Sequence, residues 1–252
     1  MATLYVASTE TFVGKSAICA ALLDQFRRRG HTVGYMKPVS VSVTQTEQGA
    51  VDQDAQLMRD LFDLQEDPQH LAPVLATTSV IEGVLRGDQA DYRSKLQEAF
   101  NAVRQGKDVV VLEGANTWAE GALLGLSADQ VSDMLHAPML MVHRYRNIAS
   151  VDIIMAVQRY LGERLLGVVL NQVFQSQRDY VQQTVVPFLE QANIPVVGLI
   201  PRDMQIESPS VQDVIEQLDA EVISDGDRER LVESLSVGAM SAESALTFFR
   251  RK

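Results

Sequence analysis

The clearest chemical signal in this chain is the loop Ser8-Thr9-Glu10-Thr11-Phe12-Val13-Gly14-Lys15-Ser16. An apolar run typical of a strand precedes it, and a helical segment beginning at Ala17 follows it. Backbone N–H groups of such a loop and of the helix N-terminus favour an anion. Lys15 can reach terminal phosphates and the Ser16 hydroxyl can ligate Mg²⁺, whereas the alternative is a chance Gly-Lys-Ser sequence. The pattern predicts nucleoside triphosphate binding through Thr11, Phe12, Val13, Gly14, Lys15, Ser16 and Ala17.

One departure from the general phosphate-loop pattern is informative, because Thr9 stands where that pattern has glycine. The loop resembles Gly-Thr-Asp-Thr-x-Val-Gly-Lys-Thr, the form carried by the dethiobiotin synthetases and their relatives. The resemblance implies ATP as the nucleotide. The identical residues are Thr9, Thr11, Val13, Gly14 and Lys15, and the close replacements are Ser8, Glu10 and Ser16.

Three oxygen-bearing side chains are candidates for a magnesium site: Ser16, Asp54 and Glu113. Glu113 ends an apolar run, where a carboxylate needs a partner. Glu113-Gly114-Ala115 resembles the family's Glu-Gly-Ala, whose glutamate binds Mg²⁺, and Asp54 resembles a second metal ligand of the family. The alternative for Asp54 is favourable charge in the first turn of a helix, and for Asp52 we expect a helix-capping role.

Lys37 is the second candidate catalytic residue beside Lys15, because it ends an apolar strand near the loop. A lysine there can neutralise charge that develops on a transferred phosphoryl group. Lys37-Pro38-Val39 resembles the Lys-Pro-Val of the synthetases, whose lysine contacts phosphate and substrate. The alternative is an ordinary surface lysine.

Two further residues are candidates for the nucleotide base. Asn171 follows the apolar run Leu166 to Leu170, and the resemblance implies that it hydrogen-bonds the adenine edge. Pro201 follows the next run and resembles part of the family's base-flanking segment. The alternatives are a turn-forming asparagine and a loop proline. The four histidines have no metal-ligand spacing, so we expect them to be structural.

Apolar runs alternate with amphipathic helical segments through most of the chain, which predicts an α/β fold with a doubly wound, mainly parallel sheet. Functional residues should then lie at the carboxyl ends of the strands. The predicted strands are Leu4 to Ala7, Thr32 to Lys37, Asp108 to Glu113, Pro138 to Val142, Leu165 to Leu170 and Pro195 to Ile200, and the clearest later helices are Ile148 to Tyr160 and Arg178 to Asn193.

Composition narrows the function classes. The chain has 252 residues, 46% of them hydrophobic, and a net charge of -11. The acidic charge argues against nucleic acid and anionic membranes as partners. Cys19 is the only cysteine, which excludes an internal disulfide and a cysteine-cluster metal site. No apolar run reaches the length of a membrane span, so we expect a cytoplasmic protein. We expect its ligand to be a small molecule.

The chain divides into a nucleotide-binding domain, residues 1–203, and a small appended segment, residues 204–252. Val237-Gly238-Ala239-Met240 resembles the opening of a DRTGG domain, so we expect a truncated domain of that kind. The alternative is a short extension packed on the main domain. The family resemblance also implies a homodimer.

The substrate half of the resemblance is missing. Leu71 to Thr78 stands where the synthetases carry Ser-Pro-His, and Asn116-Thr117 replaces a Gly-Gly. This argues against dethiobiotin synthesis and favours an ATP-sensing regulatory module like the N-terminal domain of long phosphotransacetylases, acting on that or another metabolic enzyme. The alternative is an ATP-dependent ligase or carboxylase that phosphorylates a carboxylate or carbamate. A glutamine amidotransferase is a third possibility, but the glutaminase cysteine is absent.

Overall fold

The computed structural model describes residues 1–46 and 49–233. The chain divides into two compact units, Met1–Pro201 and Arg202–Lys252. The strands are β1 (Ala2–Ser8), β2 (Val33–Met36), β3 (Val39–Ser40), β4 (Val43–Thr46), β5 (Gly49–Asp52), β6 (Val74–Leu75), β7 (Val109–Glu113), β8 (Met139–Arg144), β9 (Leu165–Val173) and β10 (Val196–Pro201). The helices of the first unit are α1 (Lys15–Arg28), α2 (Gln53–Phe62), α3 (Pro68–Leu71), α4 (Thr78–Leu85), α5 (Tyr92–Val103), α6 (Ala128–Leu135), α7 (Ala149–Leu161), α8 (Arg178–Tyr180) and α9 (Val186–Gln191).

A six-stranded parallel sheet forms the centre of the first unit, in the order β10-β9-β8-β1-β7-β2. Most of its strand residues are buried, because helices cover both faces. The predicted α/β class with a mainly parallel sheet is therefore confirmed. Since β1 lies between β7 and β8, the loop after β1 emerges beside the carboxyl ends of both neighbours.

The first helix begins earlier than the sequence predicts. Gly14 is left-handed, with φ of 82°, and turns the chain so that α1 starts at Lys15 rather than at Ala17. Lys15 and Ser16 thus lie in the first helical turn.

The predicted end of the strand Leu165 to Leu170 is also wrong. β9 continues to Val173, because Arg144 of β8 pairs with Asn171 and Pro201 of β10 pairs with Val173. Asn171 therefore lies inside the strand rather than after it.

The predicted helix Arg178 to Asn193 has an interruption. A π-helical turn, Val181–Val185, separates α8 from α9, and the Val186 N–H bonds the Val181 carbonyl. Pro187 lies in the first turn of α9 and has no N–H to donate, which disturbs the regular ladder.

Two small sheets lie outside the main one and were not predicted. β3 pairs with β6 in parallel, and β4 pairs with β5 as an antiparallel hairpin that ends at Asp52. The hairpin leads directly into α2, so Asp52 lies at the N-cap of that helix and Asp54 lies in its first turn.

The second unit contains α10 (Met204–Glu207) and α11 (Val211–Leu218). Ser210 and Asp213 form a capping box at the start of α11. The tail motif at 237–240 lies outside the described residues. No helix in the described part of the chain is both long and apolar enough to cross a membrane.

Candidate nucleotide and metal site

The loop between β1 and α1 has the backbone shape of an anion cradle. Its last residue before the helix, Gly14, has φ of 82°, a conformation that suits glycine. A Cβ there would lie 2.7 Å from Nδ2 of Asn171. No side chain in the described residues caps the first turn of α1, so the N–H groups of that turn remain available for an anion.

Asn171 holds this loop from the neighbouring strand. Its Nδ2 donates to the Val13 carbonyl at 2.7 Å, and its Oδ1 accepts from the Gln172 N–H at 2.9 Å. The side chain is buried. The contact with the loop backbone was not predicted, and it forms because β9 extends far enough to carry Asn171 there. The hydrogen bond from Asn171 to the adenine edge stays a prediction.

The end of β8 fastens the outer part of the loop, and sequence reasoning missed this role. A hydrogen bond of 2.7 Å joins Thr9 Oγ1 and His143 Nδ1, and Arg146 pairs with Glu10 at 2.8 Å. The Arg144 guanidinium donates to the Phe12 carbonyl. Burial, with a smaller contribution from the Arg146 charge, lowers the pKa of His143 to about 4. His143 thus contacts the loop through Thr9, and the sequence did not predict this contact.

Glu113 is the buried acid at the centre of the site. Its Oε1 accepts from the Ser16 hydroxyl at 2.7 Å, and its Oε2 accepts from the Tyr35 hydroxyl at 2.9 Å. The residue has 0% exposure. Burial raises the pKa of Glu113, and the positive charges of Lys15 and Lys37 act in the opposite direction. Two predicted residues, Ser16 and Glu113, are thus in direct contact, and Tyr35 is a third member that the sequence did not reveal.

Lys37 is buried and ion-paired, so it is not an ordinary surface lysine. Its Nζ lies 2.9 Å from Asp52 Oδ2 and 2.5 Å from Asp54 Oδ2. Burial acts to lower the pKa of Lys37, but the two aspartates and Glu113 outweigh it, and the pKa is raised. Lys37 therefore stays charged.

Asp52 has the predicted capping role and a second one. Its Oδ1 accepts from the Ala55 N–H at 2.8 Å, which caps α2, while its Oδ2 accepts from the Ser40 hydroxyl and meets Lys37. Asp54 lies in the first turn of α2 as expected, with 38% of its side chain exposed. Its negative charge adds to burial in raising the pKa of Glu113, so it acts on the same centre.

These oxygens fit Mg²⁺ in their chemistry. The hydroxyl of Ser16 and the carboxylates of Glu113 and Asp54 are hard donors of the kind that this ion prefers. No group of three or more His, Cys, Asp or Glu residues in the described ranges could hold a metal alone. An ion here would accordingly need phosphate oxygens and water to complete its shell.

The remaining predicted residues border the loop or its sheet. Thr11, Phe12 and Ala17 are exposed, and Val13 is buried in the core. Pro201 is the exposed last residue of β10. Lys15 is half-buried, and its positive charge acts to lower the pKa of Glu113.

A parallel sheet, a loop closed by Gly14 and a Lys15–Ser16 pair in the first helical turn define a P-loop nucleotide-binding domain. The chain belongs to the AAA domain family, whose sequence model matches residues 2–210. Within that class it is related to dethiobiotin synthetase.

Three known proteins are similar to this chain to different extents. The ATP-dependent dethiobiotin synthetase BioD of Xanthomonas campestris pv. campestris (strain B100) is 28% identical over 201 residues, covering 78% of this chain and 89% of its own. The phosphate acetyltransferase of Nitrosomonas europaea is 24% identical over 262 residues, covering 99% of this chain and 36% of its own. The solved MinD cell division protein of Aquifex aeolicus is 13% identical with a TM-score of 0.46, covering 82% of this chain and 85% of its own.

Proposed function

We propose that this chain binds ATP with Mg²⁺ and acts as a nucleotide-sensing regulatory module of a metabolic enzyme of the phosphotransacetylase kind. The observation that carries the nucleotide part is the contact between Ser16, in the first turn of α1, and the buried carboxylate of Glu113. That pair lies directly behind a loop whose backbone favours an anion.

Each residue has a defined role in this proposal. The N–H groups of the loop and the Lys15 ammonium bind the phosphates. Ser16 and Glu113 would hold Mg²⁺, with Asp54 as a third oxygen donor, and the ion would supply positive charge that offsets the charge of the phosphates. Lys37, held charged by Asp52, faces the terminal phosphate. Tyr35 holds one oxygen of Glu113 so that the other is directed at Ser16.

The regulatory part rests on the segment where the synthetases carry their substrate element. Leu71, Ala72 and Val74 are all buried in the core. Apolar side chains packed in this way cannot bind a charged diamino acid, because a polar substrate needs polar partners. This supports a site that keeps the nucleotide half without the substrate half.

The appended segment supports the link to phosphotransacetylases. The match to phosphate acetyltransferase covers 99% of this chain and so includes that segment, while the match to the synthetase covers 78%. On this basis we propose that residues 204–252 belong to a DRTGG-type domain. The family resemblance is the separate ground on which we propose a homodimer built from residues before Arg202, with a metabolic enzyme as the further partner.

An ATP-dependent ligase or carboxylase is the second candidate. The ion-paired Lys37 beside Glu113 favours it, because a fixed positive charge near the phosphates stabilises phosphoryl transfer. A ligase would release ADP in the presence of a metabolite extract, whereas a sensor would bind ATP without turnover. ADP release above that of Lys15→Ala would therefore replace the regulatory proposal with the enzymatic one.

Calorimetry with ATP and Mg²⁺ tests the nucleotide site itself. Lys15→Ala removes a charge-assisted phosphate contact, about 1.5–3 kcal/mol, so we expect the affinity to fall about ten- to a hundredfold. Arg86→Ala is the control, because Arg86 is an exposed cation paired with Glu82 on α4. Equal affinities of wild type and Lys15→Ala would refute the P-loop assignment.

A further inference from the structure

Residues of α2, α3, α5 and the hairpin strand β5 line a cavity of about 490 Å³. Its volume is in the range of small-molecule sites. Among the described residues that line it, none belongs to the segment from Thr11 to Ser16. It is therefore a second concave site, separate from the proposed phosphate cradle.

Two cations line this cavity without a partner. Arg59 on α2 and Lys95 on α5 both face it, and neither side chain makes a hydrogen bond or ion pair in the part of the chain that the structure describes. Several other basic residues, Lys37 and Arg86 for example, are ion-paired. Two unpaired cations on one cavity wall create a local attraction for negative charge.

The acidic residues of the same cavity are already engaged. Asp52 is neutralised by Lys37 and caps α2, and Asp67 caps α3 by accepting from the Gln69 N–H at 2.8 Å. The ion pair with Lys37 offsets the charge of Asp52, but the hydrogen bond to Asp67 does not remove the charge of that carboxylate. Arg59 and Lys95 therefore exceed the remaining acidic charge of the lining by one.

The rest of the wall is apolar with a few amide groups. Leu71, Ala55 and Pro73 are buried and form a hydrophobic surface, and Gln69 adds a hydrogen-bonding amide, whereas Nε2 of Gln56 already donates to Asp60 at 2.9 Å. A guanidinium binds a phosphate or carboxylate in a two-pronged manner, and an ammonium adds a point charge. The combination fits a ligand with an anionic end and an apolar body.

We propose that this cavity binds a small dianionic metabolite with an apolar portion, either a phosphate monoester or a dicarboxylate. Arg59 and Lys95 hold the two negative charges, and Leu71 and its neighbours pack against the apolar part. Asp52 lines the cavity and also pairs with Lys37, so an occupied cavity adjoins the candidate nucleotide site through one residue.

Titration calorimetry on the full chain tests this with two probes, phenyl phosphate and phthalate, whose relative affinities distinguish the two ligand chemistries. We expect at least one to bind, and Arg59→Gln or Lys95→Gln to weaken it about ten- to a hundredfold. Arg86→Gln is the charge-matched control and should bind as wild type does. Thermal unfolding confirms that each variant is folded.

Two additional measurements separate this cavity from the P-loop. Ala50→Phe keeps every charge but fills space in the cavity, so it should abolish binding of the probe. Saturating ATP and the Lys15→Ala variant should leave probe affinity unchanged, whether or not ATP binding itself is found. Absence of binding by both probes, displacement by ATP, or wild-type affinity in Arg59→Gln and Lys95→Gln would overturn the proposal.

Discussion

The contact between Gly14 and Asn171 makes a quantitative prediction about the loop. Gly14→Ala introduces a Cβ that would lie 2.7 Å from Asn171 Nδ2, closer than real Cβ atoms come to a neighbour. The alanine also has to adopt φ of 82°, which costs roughly 1–2 kcal/mol for an L residue. Moving the amide breaks its bond to the Val13 carbonyl, which costs about 1–3 kcal/mol. We therefore expect Gly14→Ala to lower the free energy of unfolding by about 2–5 kcal/mol.

A matched glycine separates the two contributions. Gly125 has φ of 70° and nothing within 4 Å of an added Cβ. Gly125→Ala should therefore show only the backbone cost, about 1–2 kcal/mol. The difference between the two variants measures the clash with Asn171.

A double-mutant cycle tests the same contact. Asn171→Ala loses the Val13 bond, so Gly14→Ala has no clash to add in that background. The double variant should be less destabilised than the sum of the single variants by about 1–3 kcal/mol, the cost assigned to displacing the amide. Urea unfolding followed by the fluorescence of Trp118, the single tryptophan, measures all four proteins. Additivity within about 0.5 kcal/mol would refute the reasoning, because it would mean that the residues do not touch.

Three further predictions concern pH, assembly and activity. The pKa of His143 falls from its ordinary value of 6.5 to about 4 on folding, so folding favours the neutral imidazole. The resulting contribution to the free energy of unfolding, about 3 kcal/mol, should be fully present above pH 6.5 and lost as the pH falls towards 4. Urea unfolding at several pH values should show a shallower loss in His143→Gln than in wild type or His70→Gln, and equal slopes would contradict this. A chain ending near Asp203 should form a dimer that binds ATP, because the nucleotide-binding fold lies in Met1–Pro201. Light scattering measures its oligomeric state, and a monomeric or insoluble product would mean that the tail completes the core. The protein should not make dethiobiotin, because Leu71, Ala72 and Val74 are core residues, and rescue of a biotin-requiring strain would show that this is wrong.

Much of the fold could be predicted because its signals are local. Apolar runs that alternate with amphipathic segments indicate a parallel sheet covered by helices, and all six predicted strands belong to it. Element ends were less predictable. α1 begins before Ala17 and β9 runs past Leu170, because a left-handed glycine and pairing with neighbouring strands decide those boundaries.

Some residues of the candidate site could likewise be predicted from the sequence, and others could not. Lys15, Ser16 and Glu113 follow from motif spacing and from the rule that parallel strands end at one edge of a sheet. Tyr35, His143 and Arg144 carry no motif, and their contacts depend on which strands become neighbours. No sequence pattern near these residues indicates which side chain or carbonyl each of them will contact.

The sequence by itself determined the phosphate loop, the α/β class and the absence of the synthetases' substrate element, since each of these depends on residues close together in the chain. Only the tertiary structure decided that Asn171 donates to the loop backbone, and that Asp52 both caps α2 and pairs with Lys37. The order of strands in the sheet places Asn171 beside Val13, residues separated by 158 positions. A hydrogen bond forms only when donor and acceptor lie within a few ångströms of each other in space, and the spacing of residues along the chain does not determine that distance.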